Sequence, residues 1–100
     1  MNIIFQGNVA TDGSTKITCT TTSLVINEII INNIDNNYNI TMNRFMTGEG
    51  IHLIPIYEFA LDLGDTVRDT EGYTLNQGNF LQLITNVIGT TYYISATENE

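Results

Sequence analysis

The sequence predicts an all-β fold: an antiparallel β-sandwich or jelly roll of seven or eight strands, built as one domain over residues 1–100. Three observations point there. Fifteen isoleucines, fifteen threonines and four valines make about a third of the chain β-branched, and such side chains suit a pleated strand better than a helix. Alanine occurs only at Ala10, Ala60 and Ala96, and leucine, lysine, arginine and glutamine are sparse, so good helix formers are scarce. Turn residues punctuate the chain at short intervals throughout. One hundred residues leave no room for a second core.

The elements follow in order. A first strand over Asn2–Gln6 stops at Gly7 and Asn8, and Asp12-Gly13 marks a turn. The second strand spans Thr15–Thr20, with Ile17 and Cys19 on one face. The third spans Leu24–Asn32. Ile34–Asn37 reads as a tight hairpin connection, because Asp and Asn tolerate a left-handed backbone. The fourth strand, Asn37–Phe45, alternates plainly: Tyr38, Ile40 and Met42 against Asn37, Asn39, Thr41 and Asn43. Phe45 breaks the alternation, as a bulge or the end of the strand would. The fifth strand is Ile51–Leu61, and further pieces fall at Thr66–Arg68, Tyr73–Leu75, Phe80–Thr85 and Thr91–Thr97.

Two strands carry more apolar surface than alternation requires. In the third, strict alternation sets Leu24, Ile26 and Ile30 on one face with Glu28, and Val25, Ile29 and Ile31 on the other with Asn27. Leaving three such side chains in water forfeits about 1.5–3 kcal/mol apiece. Both faces therefore need a cover; the first strand, a loop or a second subunit can supply it, and a second subunit is the favoured source because so short a chain has few elements to spare. In the fifth strand Leu53, Ile54, Ile56, Tyr57 and Phe59 are nearly continuous around Pro55. Proline cannot donate to a ladder, so this strand lies on an edge or bends there. The interface expected from these patterns is Val25, Ile29 and Ile31 with Ile54, Pro55, Ile56 and Tyr57.

Charge and chemistry narrow the function. Lys16, Arg44 and Arg68 face eleven carboxylates, a net charge of −8. Three cations cannot neutralise a row of phosphates, so no nucleic-acid partner is expected, and an anionic membrane surface would repel the chain. No cofactor, metal or catalytic group is expected, and the chain is read as no enzyme. His52 is the lone histidine, too few for a histidine metal site, and no nucleophile motif surrounds a Ser or Cys. Cys19 reads as a buried, inert thiol. The acidic stretch Asp62–Gly72 does not match a calcium loop and reads as solvated, with Ca²⁺ the competing use. Asn39-Ile40-Thr41 fits a glycosylation pattern only by chance in a chain without a signal peptide, which reads as a complete intracellular product. Five tyrosines, Tyr38, Tyr57, Tyr73, Tyr92 and Tyr93, keep a carbohydrate-binding module open.

An echo in the second half completes the pattern. Leu61, Gly64 and Asp65 recur as Leu75, Gly78 and Asn79: a leucine entering the core, a glycine accepting a positive backbone angle, and a small polar residue bonding locally. With Ile29-Ile31-Asn32, the alternating Tyr38–Met42 and a closing strand ending near Glu98, this arrangement resembles small structural proteins of tailed-phage virions. The resemblance implies a β-sandwich that decorates the capsid, or builds the head–tail connector, tail or head fibre. It implies multicopy or homo-oligomeric assembly with major capsid or connector proteins, and location in the virion after synthesis in the bacterial cytoplasm. It supplies no catalytic residues.

Overall fold

The structure is a computed structural model. It describes the backbone of residues 1–33, 40–49, 52–62, 66–85 and 90–99, and the side chains of 1–32, 66–85 and 90–99. The described residues form nine strands and no helix: β1 (Asn2–Asn8), β2 (Thr15–Thr18), β3 (Ser23–Asn33), β4 (Ile40–Glu49), β5 (His52–Asp62), β6 (Thr66–Asp69), β7 (Tyr73–Asn76), β8 (Phe80–Thr85) and β9 (Thr90–Asn99). The all-β expectation holds. The strand number exceeds the seven or eight expected because β6 and β7 are both strands. Eleven-residue β3 has room for both on one edge, β7 against Ser23–Ile26 and β6 against Ile29–Asn32.

Two antiparallel sheets result. The first runs β1-β9-β3, with β6 and β7 completing its far edge; the second runs β2-β8-β4-β5. Consecutive β3 and β4 thus lie in different sheets. This corrects the hairpin expected over Ile34–Asn37. Turn chemistry favours a reversal but does not choose the strand's next partner, which long-range packing selects. Residues 34–39 themselves lie outside the described residues.

The third strand is the decisive element. Its register against β9 shifts between Ile26 and Glu28, so Asn27 is an extra residue, a β-bulge. Because side chains alternate with period two, one inserted residue inverts every face beyond it. Leu24 and Ile26 before the bulge therefore share a face with Ile29 and Ile31 after it, and all four are buried. Val25, Glu28, Ile30 and Asn32 form the opposite, half-buried face. The two-faced strand that strict alternation predicts is thus a one-faced strand with a bulge.

Around that face the described residues form one buried cluster that draws on both sheets: Ile94 and Ala96 of β9 with Ile17, Leu81 and Leu83 of β2 and β8. Ile3 and Phe5 of β1 pack against it, half-covered. Cys19 is buried in the same cluster, as expected, and its thiol donates to the Thr21 carbonyl at 3.3 Å.

The fifth strand meets both expectations set by Pro55. It is the edge of the second sheet, and its register against β4 slips at this point: Phe45 faces Tyr57, whereas Met46 faces Pro55. Ile56 is therefore unopposed. The bulge or strand end expected at Phe45 is not found in β4, which pairs with β8 without a shift from Asn43 to Gly48 and runs on to Glu49; the extra residue is in β5.

Glycine holds the turns where they reverse. Gly78 has φ +89° and lies between the Asn79 N–H bond to the Asn76 carbonyl and the start of β8, while its own N–H donates to the Cys19 carbonyl. This is the corner expected from Leu75, Gly78 and Asn79; its counterpart at Gly64 and Asp65 lies outside the described residues. At Gly13, φ is +80°, and an added Cβ would sit 3.4 Å from Gln82 Nε2. Alanine at either position is expected to cost about 1–2 kcal/mol of backbone strain. Gly13→Ala is the worse of the two, because at Gly78 a methyl group meets nothing within 4 Å. Urea denaturation of the two variants checks this ranking. Gln82 also anchors the Gly13 turn, its Nε2 donating to the Gly13 carbonyl from within the core.

Candidate functional site

The outward face of the first sheet is the best-defined candidate surface among the described residues. Register sets its rows. Gln6, Tyr93, Ile30 and Arg68 lie side by side across β1, β9, β3 and β6; Ile4, Ser95 and Glu28 form the next row; Asn2, Thr97, Val25 and Thr74 form a third. Between the first row and Asn8, Thr91 and Asn32 lies an open hollow of about 460 Å³. Tyr92, Tyr93 and Ile30 line it together with amide and hydroxyl side chains, and no charged residue is among its lining.

Hydrogen bonds tie this face together. Asn27, exposed on the bulge, donates from Nδ2 to Thr97 Oγ1 at 3.0 Å, and Thr97 Oγ1 donates to Asn2 Oδ1 at 3.3 Å. One chain of contacts thus crosses β3, β9 and β1. Arg68 Nε lies 3.4 Å from Glu28 Oε2 across the β3–β6 pair. An ion pair this exposed contributes under about 1 kcal/mol, so it fixes position more than stability. The bulge residue that hid the strand's true periodicity is also the residue that stitches its outer face.

The expected interface residues separate. Ile29 and Ile31 are each 1% exposed within the single chain. Their placement at an interface is corrected: the bulge turns them into the chain's own core, where no partner is needed to cover them. Val25 stays on the outer face, half-buried between Thr97 and Thr74. Ile54, Pro55, Ile56 and Tyr57 lie in edge strand β5, and their side chains are outside the described residues. Sequence reasoning missed Ile4, Ile30 and Tyr93. Counting the pleat from Asn27 as a bulge would have found Ile30.

The acidic stretch is part strand. β6 occupies Thr66–Asp69, and Asp69 is buried at its end, accepting the Tyr73 hydroxyl at 2.5 Å and the Glu71 N–H at 2.9 Å. Burial, then the hydrogen bond to Asp69 and the neighbouring carboxylate charges, push the Tyr73 hydroxyl well above the usual tyrosine range. Among the described residues no three acidic, histidine or cysteine side chains converge as metal ligands; the side chain of Asp62, and Asp65, lie outside them, as does that of His52. Of the tyrosines whose side chains are described, Tyr73 is engaged with Asp69, Tyr92 packs towards the core over Gly7, and Tyr93 faces outward. No protein-family model matches the chain, and no curated protein matches it either.

Proposed function

We propose that the protein is a structural component of a tailed-phage virion, a capsid decoration protein of β-sandwich or jelly-roll type that acts by assembling in many copies. The sandwich reading is supported by one apolar cluster that takes Ile29 and Ile94 from one sheet and Leu81 and Leu83 from the other. The functional reading is carried by the outer face of the first sheet. That face sets Ile4, Val25, Ile30 and Tyr93 in a hydrogen-bonded field whose Glu28 and Arg68 charges pair with each other, in a chain whose net charge is −8. A surface of this kind serves contact with protein better than contact with phosphate or an anionic membrane. The virion context rests on the resemblance carried by the sequence pattern of strands and leucine–glycine corners, with major capsid protein the expected partner. A connector, tail or head-fibre position uses the same surface.

A second reading has its own observation. An outward tyrosine in a hollow that Gln6, Asn8, Asn32 and Thr91 help to line offers a flat apolar ring and neutral hydrogen-bonding groups, which suits a saccharide. One experiment separates the two. The protein is expected in purified particles at fixed copy number by mass spectrometry, with no glycan-array signal. Absence from particles, together with glycan binding that Tyr93→Ala abolishes, reverses the ranking.

A further inference from the structure

Among the described residues strand β1 pairs on one side only, with β9, and presents an open edge on the other, so its backbone can be assigned atom by atom. Its register against β9 runs without a shift from Asn2 opposite Thr97 to Asn8 opposite Thr91. Just beyond its two ends, the Glu98 N–H donates to the Met1 carbonyl at 2.8 Å, and the Val9 N–H donates to the Thr90 carbonyl at 2.8 Å. Both contacts extend the same register. In an antiparallel pair, backbone groups of alternate residues point to opposite sides of the strand. Met1, Ile3, Phe5, Gly7 and Val9 therefore bond to β9. Asn2, Ile4, Gln6 and Asn8 aim their N–H and C=O groups at the open edge.

Open edges invite pairing, and proteins blunt them with short strands, charges, proline or bulges. The other edges here carry these devices. Strand β2 has four residues and includes Lys16; β6 and β7 have four each, and β6 includes Arg68; β5 includes Pro55, Glu58 and the unopposed Ile56. Strand β1 has seven residues, NIIFQGN, with no charge, proline or bulge. In a chain of net charge −8, the first charged side chain is Asp12.

We propose that β1 pairs with β1 of a second copy, antiparallel about a two-fold axis through Phe5. The strand is self-complementary in that register. Ile4 stands opposite Gln6 and Asn2 opposite Asn8, so each edge-facing residue meets an edge-facing residue. Phe5 meets its own copy on the core side, and Ile3 meets Gly7. Half-covered Ile3 and Phe5 thereby gain the cover that one chain leaves incomplete. Ile4, 54% exposed, gains a neighbour on the outer face. A second copy is the occupant that fits, because this edge is where two acidic molecules approach without opposing strand charges. The pairing consumes both free β1 edges, so the two-fold closes at a dimer. The dimer needs no particle and stands apart from the virion reading.

Sedimentation equilibrium of the full chain is expected to show a dimer of twice the 11.1 kDa monomer mass. It is expected to tighten as salt screens the net negative charge. Amide exchange at Ile4 and Gln6 should slow as protein concentration rises. Ile4→Pro and Gln6→Pro each delete an edge-facing donor in both copies and leave the β9 ladder intact. Each is expected to weaken dimerisation by roughly ten- to a hundredfold, from two lost hydrogen bonds, while the monomer still melts cooperatively. Should a proline variant fail to fold, Gln6→Glu puts two like charges on the paired edge and is expected to weaken the dimer by roughly tenfold. A wild-type chain that stays monomeric at millimolar concentration overturns the proposal. So does a species that grows beyond a dimer, or a dimer that the folded edge variants leave unchanged. Particle association, measured separately, decides the virion reading whichever way the dimer experiment falls.

Discussion

Ile29→Ala and Ile31→Ala are each expected to lower stability by about 2–5 kcal/mol. For a domain of this size that is on the order of 10–30 °C in melting temperature. Both side chains are 1% exposed, facing Ile94 and Tyr92 of β9 on the core side of the sheet. Truncation removes buried methyl groups and leaves a void that a sheet held by ladders on both sides cannot close. Ile30→Ala is the internal comparison. Ile30 is half-buried on the opposite face, beside Tyr93 and Arg68, and its truncation is expected to cost about 1 kcal/mol. Thermal denaturation of the three variants tests the bulge directly. If Ile30→Ala proves the most damaging, Asn27 does not shift the pleat and Ile29 and Ile31 return to the outer face.

The second large effect lies at the β6–β7 end of that sheet. Tyr73→Phe is expected to cost about 1–3 kcal/mol at neutral pH, because Asp69 is buried and loses a short hydroxyl donor. The same contact sets an alkaline limit on the fold. Burial and the bond to Asp69 hold the Tyr73 hydroxyl protonated above its ordinary value. The unfolded chain ionises this phenol from about pH 10. The stabilisation is therefore complete below about pH 10 and is lost as pH rises towards the folded-state value. Chemical denaturation at pH 8 to 11 is expected to show wild-type stability falling more steeply than that of Tyr73→Phe, so the gap between them narrows. Parallel profiles would mean that Tyr73 does not carry the alkaline loss.

These expectations mark where local pattern sufficed. β-Branched composition and turn residues placed strands near every position where one is found, and the paired leucine–glycine corners located the turn at Gly78. Pro55 identified an edge strand because a missing donor is a property of the residue itself. The burial of Cys19 followed from its alternation with Ile17. The candidate surface was half legible: Val25 is on it, while Ile30 and Tyr93 were hidden behind a face assignment that ran through Asn27 without a break.

What the amino acids determined by themselves is the all-β character, the strand positions and the reluctance of β5 to sit inside a sheet, since torsional preference and donor count belong to single residues. What only the tertiary structure decided is which aliphatics are core, and that β3 and β4 part company into different sheets. The physical reason is that a pleat repeats every two residues, so one bulged asparagine reverses all that follows, and nothing local announces it. Its placement is selected by the strand alongside. Once Asn27 is set between Ile26 and Glu28, Leu24, Ile26, Ile29 and Ile31 turn inward together, and Ile30 comes to lie beside Tyr93.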